Sequence, residues 1–167
     1  MGKENILTSY LISLGEEVFK LLLAKGAIKE DAEVALSFNQ PYTLQEIKEK
    51  IPDTLNIVWL YMTSPIGDES KGPAGMPVYG FNPDKSPEEA YKEFVDSLKQ
   101  YDDDGHDEGI QKFLKSNKNK PFDQVKILGV MLTGKTENFK ALENQGFIRG
   151  ASVGATAQVV PYIKPEK

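Results

Sequence analysis

The chain has 167 residues, 20 Lys and Arg against 25 Asp and Glu (net charge −5), one His and no Cys. Hydrophobic residues make up 40% and charged residues 27%, the balance of a globular domain that buries about 70% of its unfolded surface without a disulfide or metal. The acidic balance argues against a nucleic-acid footprint and an anionic-membrane patch, and the lack of Cys excludes thiol catalysis and thiolate metal sites.

Leu7, Leu11, Leu14, Val18, Leu21 and Leu22 recur at helical spacing, so an N-terminal amphipathic helix is expected over residues 1–31, with Gly26 as its stop. Ser13 and Glu16 read as a capping box inside it, which would divide it into two short helices. The stretch from Ile6 to Ala24 is interrupted by Ser13, Gly15, Glu16, Glu17 and Lys20, and so falls short of the roughly 20 apolar residues of a membrane span.

Val34, Leu36 and Phe38 alternate on one face of a strand over 33–38, which Pro41 punctuates. Thr43 and Glu46 form a capping box for a short helix carrying Leu44, Ile47 and Ile51, which Pro52 ends. Asn56 to Met62 is a continuous apolar and aromatic run with Trp59 and Tyr61, read as a central strand covered on both faces. From Ser64 to Lys85, Gly and Pro crowd the chain and helical period disappears, which reads as a long loop. Tyr79 and Phe81 lie in it, either anchoring the loop to the body or contacting a partner or ligand.

Ser86-Pro87-Glu88-Glu89 starts a helix whose buried stripe is Tyr91, Phe94, Val95 and Leu98. An acidic turn over 102–108 and a short helix with Ile110, Phe113 and Leu114 follow. Val125 to Leu132 reads as a strand, Thr136 as the start of a helix with Phe139 and Leu142 inward, and Phe147 onward as a last strand rich in small residues. Pro161 and Pro165 mark a tail over 161–167.

Strand-helix-strand thus occurs twice within a domain over 32–160, separated by an insertion at 64–124. The expected class is α+β: a ferredoxin-like duplicated split βαβ with a four-stranded antiparallel sheet, a helical insertion and an extra N-terminal helix. A three-layer α/β sheet is the alternative.

Several patterns invite chemistry. Residues 129–136 (GVMLTGKT) satisfy the P-loop pattern, but their middle continues an apolar strand instead of opening a loop onto phosphates. Gly134 then serves as a turn and Thr136 as a cap, and no binding of ATP or GTP is expected. Aligning Gly105 with the glycine of a calcium-binding loop puts Asp102 and Asp104 at ligand positions, but Gln100 and Gln111 fall where the first and last ligands belong. His106 is the lone histidine, flanked by Asp104, Asp107 and Glu108; one His with no Cys does not build the usual zinc site, and no nucleophile motif accompanies it. The pairs Glu16-Glu17 and Glu88-Glu89 suit helix N-termini. No catalytic residue, cofactor or metal is expected.

Four segments in register carry a resemblance: Ala32 to Ile47 (AEVALSFNQPYTLQEI), Tyr79 to Pro83 (YGFNP), Val130 to Phe139 (VMLTGKTENF) and Ala151 to Thr156 (ASVGAT). Across about residues 32–158 the chain resembles the C-terminal domain of sigma factor regulators, a family of Gram-positive anti-sigma factors. The resemblance implies a plan in which a short cytoplasmic segment holds an extracytoplasmic-function sigma factor, one helix spans the membrane, and this domain lies outside. It also implies a sensor or interaction module that is not an enzyme. The sigma-binding segment and the span are then expected outside this stretch of sequence. An extracellular ligand or protein is the expected partner of the domain, with Tyr79 and Phe81 as candidate contacts. The alternative is a free-standing soluble protein that binds a small molecule.

Overall fold

Residues 30–63, 79–84 and 86–158 are described by the computed structural model. They form β1 (Glu30–Tyr42), α1 (Leu44–Lys50), β2 (Asn56–Thr63), β3 (Tyr79–Phe81), α2 (Pro87–Tyr101), α3 (Glu108–Ser116), a 3-10 turn (Phe122–Gln124), β4 (Ile127–Lys135), a 3-10 segment (Thr136–Leu142) and β5 (Ile148–Gln158). The expected N-terminal helix, most of the Gly/Pro-rich stretch and the tail lie outside the described residues.

The helix starts follow their local chemistry. Thr43 Oγ1 accepts from the Glu46 N–H at 3.3 Å while Glu46 Oε2 accepts from the Thr43 N–H at 2.7 Å, closing the capping box of α1. Ser86 Oγ accepts from the Glu89 N–H at 3.4 Å, with Pro87 in the first turn of α2.

The fold is α+β, built on an open five-stranded antiparallel sheet in the order β3-β2-β4-β1-β5. The fifth strand corrects the expected four. Tyr79, Gly80 and Phe81, read as loop, hydrogen-bond along β2 as an edge strand, because an apolar pair around one glycine fits the pleat. Thr136 to Leu142 corrects another expectation: the crossover from β4 to β5 is 3-10, not α-helical. It still turns Phe139 and Leu142 inward, as their three-residue spacing in a 3-10 turn allows.

β1 runs past the expected ends of its strand and through Pro41, with an irregularity between Ser37 and Tyr42. Ala32, Val34, Leu36 and Phe38 are buried, while the alternate residues Glu33, Ala35 and Ser37 are half-buried. One core cluster joins these inward residues to Leu60 and Met62 of β2, Phe81 of β3, and Val130 and Leu132 of β4. Leu44 and Ile47 of α1, Phe94 and Leu98 of α2, and Ile110 and Phe113 of α3 belong to the same cluster. The described helices therefore pack on one face of the sheet.

The opposite face is set by a bulge. Ile57 pairs with Leu132 but Trp59 with Met131, so Val58 is an extra residue in β2. Ile57 packs on the core, and Trp59, two residues on, turns to the other side. The run over 56–62 looks uniformly apolar because this bulge breaks its alternation.

Candidate functional site

β3 carries the two residues singled out by sequence, both on the helix-bearing side. Phe81 is 7% exposed, with its ring centroid 5.4 Å from Phe94, 5.9 Å from Phe122 and 6.1 Å from Tyr91. It holds β3 to α2 and the 3-10 turn through ring packing. Tyr79 is half-buried and lies 5.8 Å from Tyr101, the last residue of α2. Tyr101 is 71% exposed. The edge thus presents one outward ring, Tyr101, backed by Tyr79 and anchored by Phe81.

The Tyr79 phenol is under the influence of Tyr101 and Asp107. Burial, then interaction with Tyr101 and the nearby Asp107 charge, push its pKa up to about 12. Asp107 also caps α3, its Oδ1 accepting from the Ile110 N–H at 2.9 Å.

The acidic turn beside these rings is tied down by Asp102. Its Oδ2 accepts from Gln111 Nε2 at 2.5 Å and its Oδ1 from the Asp107 N–H at 2.9 Å. These bonds, with a contribution from the His106 backbone, hold its carboxyl below the usual range. Gly105 completes the turn at φ +70°, a conformation glycine adopts readily. Both Asp102 oxygens thus serve the corner between α2 and α3. Asp104 and His106 are exposed in the same turn. Among the described residues, no group of three His, Cys, Asp or Glu side chains converges as a metal site.

The P-loop look-alike is strand throughout its first seven residues, which corrects two expectations: Gly134 is no turn but pairs with Ala32 inside β4, and Thr136 is no cap but the first residue of the 3-10 segment, which has no side-chain cap. Gly129 to Thr133 pair with β1 on one side and β2 on the other, so their backbone groups are committed to the sheet. A Cβ at Gly129 would collide with the Leu36 carbonyl oxygen, which explains that glycine by strand packing. Glu88 and Glu89 lie in the first turn of α2, next to its positive end.

Tyr101 and Asp107 are the members of this edge that sequence reasoning passed over. Phe94, Leu98 and Tyr101 continue one helical stripe, and Asp107 immediately precedes an apolar helix as an N-cap should, so both signals were present. No helix among the described residues is long and apolar enough to cross a membrane.

A family model described as sigma factor regulator C-terminal matches residues 28–155, more than half of the chain. The match spans β1 through most of β5, including β3 and both helices that follow it. No curated protein and no solved structure matches the chain.

Proposed function

The chain belongs to the sigma factor regulator C-terminal family, and from that premise we propose that it is the sensing and interaction domain of a membrane-anchored anti-sigma factor. The family match carries this reading, since it covers four strands of the described sheet and most of the fifth and points to an anti-sigma factor domain. In this reading the domain is non-catalytic and extracellular. A cytoplasmic segment outside this chain holds an extracytoplasmic-function sigma factor, and one membrane-spanning helix joins the two. Binding of an outer ligand or protein favours one state of the domain and so biases the segment across the membrane.

The candidate contact is the β3 edge, with Tyr101 as its exposed ring, Tyr79 behind it and Phe81 as its anchor. An exposed aromatic held by a half-buried one suits a partner-binding surface, because some of its side-chain freedom is already lost before binding. The strand order supports the finer fold reading as well. β2-β4-β1-β5 places one strand between the two ends of each crossover, as in a duplicated split βαβ, and β3 extends that four-stranded unit at its edge.

The test uses the full-length gene product in its native host. A reporter enzyme fused after Lys167 should be active only outside the cell, and deleting residues 32–160 should change sigma-dependent transcription. Activity of the fusion inside the cell would overturn the extracellular placement. Unchanged transcription after the deletion would overturn the sensing role.

A further inference from the structure

We propose that the amphipathic segment over residues 6–24 docks its leucine stripe on the sheet face opposite the helices, over Trp59 and Met131. That face carries an apolar row across neighbouring strands: Trp59 of β2 pairs with Met131 of β4, which pairs with Ala35 of β1. Tyr61 lies in the next row, flanked by Gly80 and Gly129. All four apolar or aromatic residues are half-buried, and none belongs to the core cluster or packs against it. Glu33, Ser37, Thr133 and the exposed Ser152 surround them as a polar rim.

An antiparallel sheet that leaves one face to water places polar side chains there. A Trp-Met-Ala row at the middle of the face departs from that rule and fits a covering element. Glycines shape the floor: a Cβ at Gly80 would strike the Trp59 indole nitrogen, so the indole lies across the bare backbone of β3.

Chain length selects the occupant. β1 begins at Glu30, leaving residues 1–29 before it. A helix over residues 7–22 is about 24 Å long, against about 19 Å across five strands. The seven residues from 23 to 29 reach at most about 25 Å when extended, enough to return the segment from the start of β1 across the sheet. Its stripe of Leu7, Leu11, Leu14, Val18, Leu21 and Leu22 matches the apolar row in chemistry. The stretch over 64–78 offers only Ile66, Met76 and Val78 as large apolar residues amid Gly and Pro.

Two features make the test direct: the chain has no Cys, and Trp59 is its only Trp. In the whole 167-residue protein, Ala35→Cys is combined in turn with Leu11→Cys, Leu14→Cys and Val18→Cys, and each pair is oxidised at low protein concentration. At least one pair should form an intramolecular disulfide, absent when the partner site is instead Lys112→Cys on α3. Separately, the double variant Leu11→Asp/Val18→Asp should shift Trp59 emission to longer wavelength and raise its quenching by acrylamide. No disulfide above the Lys112 control, or disulfides only between molecules, overturns the proposal. So does unchanged Trp59 emission in a folded double variant. Should the double variant fail to fold, the disulfide series decides alone. None of these measurements involves a membrane or a sigma factor, so their failure leaves the reading as an anti-sigma sensing domain standing.

Discussion

Glu46 and Lys126 join two ends of the fold: the carboxylate in the first turn of α1 accepts from Lys126 Nζ, just before β4, at 2.8 Å. The same carboxylate closes the capping box with Thr43. The Lys126 hydrogen bond, then the Thr43 N–H, hold the Glu46 carboxyl at about 2 instead of 4.5. A carboxyl with a lowered folded-state pKa stabilises the fold above its unfolded value and loses that contribution as pH falls toward the folded one. The stability difference between the parent and Glu46→Gln should therefore be complete above pH 4.5 and vanish by about pH 2. Urea melts across that range measure it. A difference independent of pH would contradict the pairing.

Thr43→Ala removes the other half of the box and should cost about 1 kcal/mol by the same melts. Thr43→Ser keeps the hydroxyl and should recover most of the loss.

Gly129 and Lys135 separate the strand from a phosphate loop. Gly129→Ala forces a Cβ against the Leu36 carbonyl oxygen and should destabilise by about 1–3 kcal/mol. Lys135 is exposed at the end of β4, and Lys135→Ala should change stability by less than about 0.5 kcal/mol. Calorimetric titration of the parent with Mg-ATP or Mg-GTP should give no saturable heat. Micromolar binding lost in Lys135→Ala would reverse this assignment.

Phe81 and Tyr101 sit on one edge but should answer differently to truncation. Phe81→Ala empties a buried site among three rings and should cost about 3–5 kcal/mol. Tyr101→Ala should stay within about 0.5 kcal/mol of the parent. It should also lower the Tyr79 pKa from about 12, because Tyr101 is one of the causes that raise it. Ultraviolet titration of the phenols reads that shift directly.

Asp102→Ala removes the acceptor shared by Gln111 and the Asp107 N–H and should lower the melting temperature at neutral pH. The carboxyl's lowered pKa gives the sign of the pH effect: its contribution is present above the ordinary value of 3.8 and fades as pH falls through the folded one. Parent and variant melting curves should converge in acid.

Much of this fold is written in local chemistry. Thr43 with Glu46, and Ser86 with Pro87, mark helix starts because a cap satisfies amide groups only a few residues away. Val34, Leu36 and Phe38 mark one face of β1 because a pleat alternates whatever lies beside it. Phe139 and Leu142 turn inward whether their segment is α or 3-10, which is why the sequence could place them without identifying the helix type. The edge cluster was legible only in part: Tyr79 and Phe81 stand out as aromatics amid Gly and Pro, but their division into outer and anchoring positions depends on α2, which begins after them.

What the sequence by itself determined is the order of the elements apart from β3, the caps at Thr43 and Ser86 and most inward residues, together with the family resemblance. Only the tertiary structure decided that Tyr79 to Phe81 is a strand, that Gly134 continues β4 instead of turning the chain, and that Trp59 turns away from Ile57. Each of these depends on register. Hydrogen bonding to a neighbouring strand, and the single extra residue Val58, select which face a side chain takes. No periodicity within one segment contains that choice, because the partner strands lie tens of residues away in the chain.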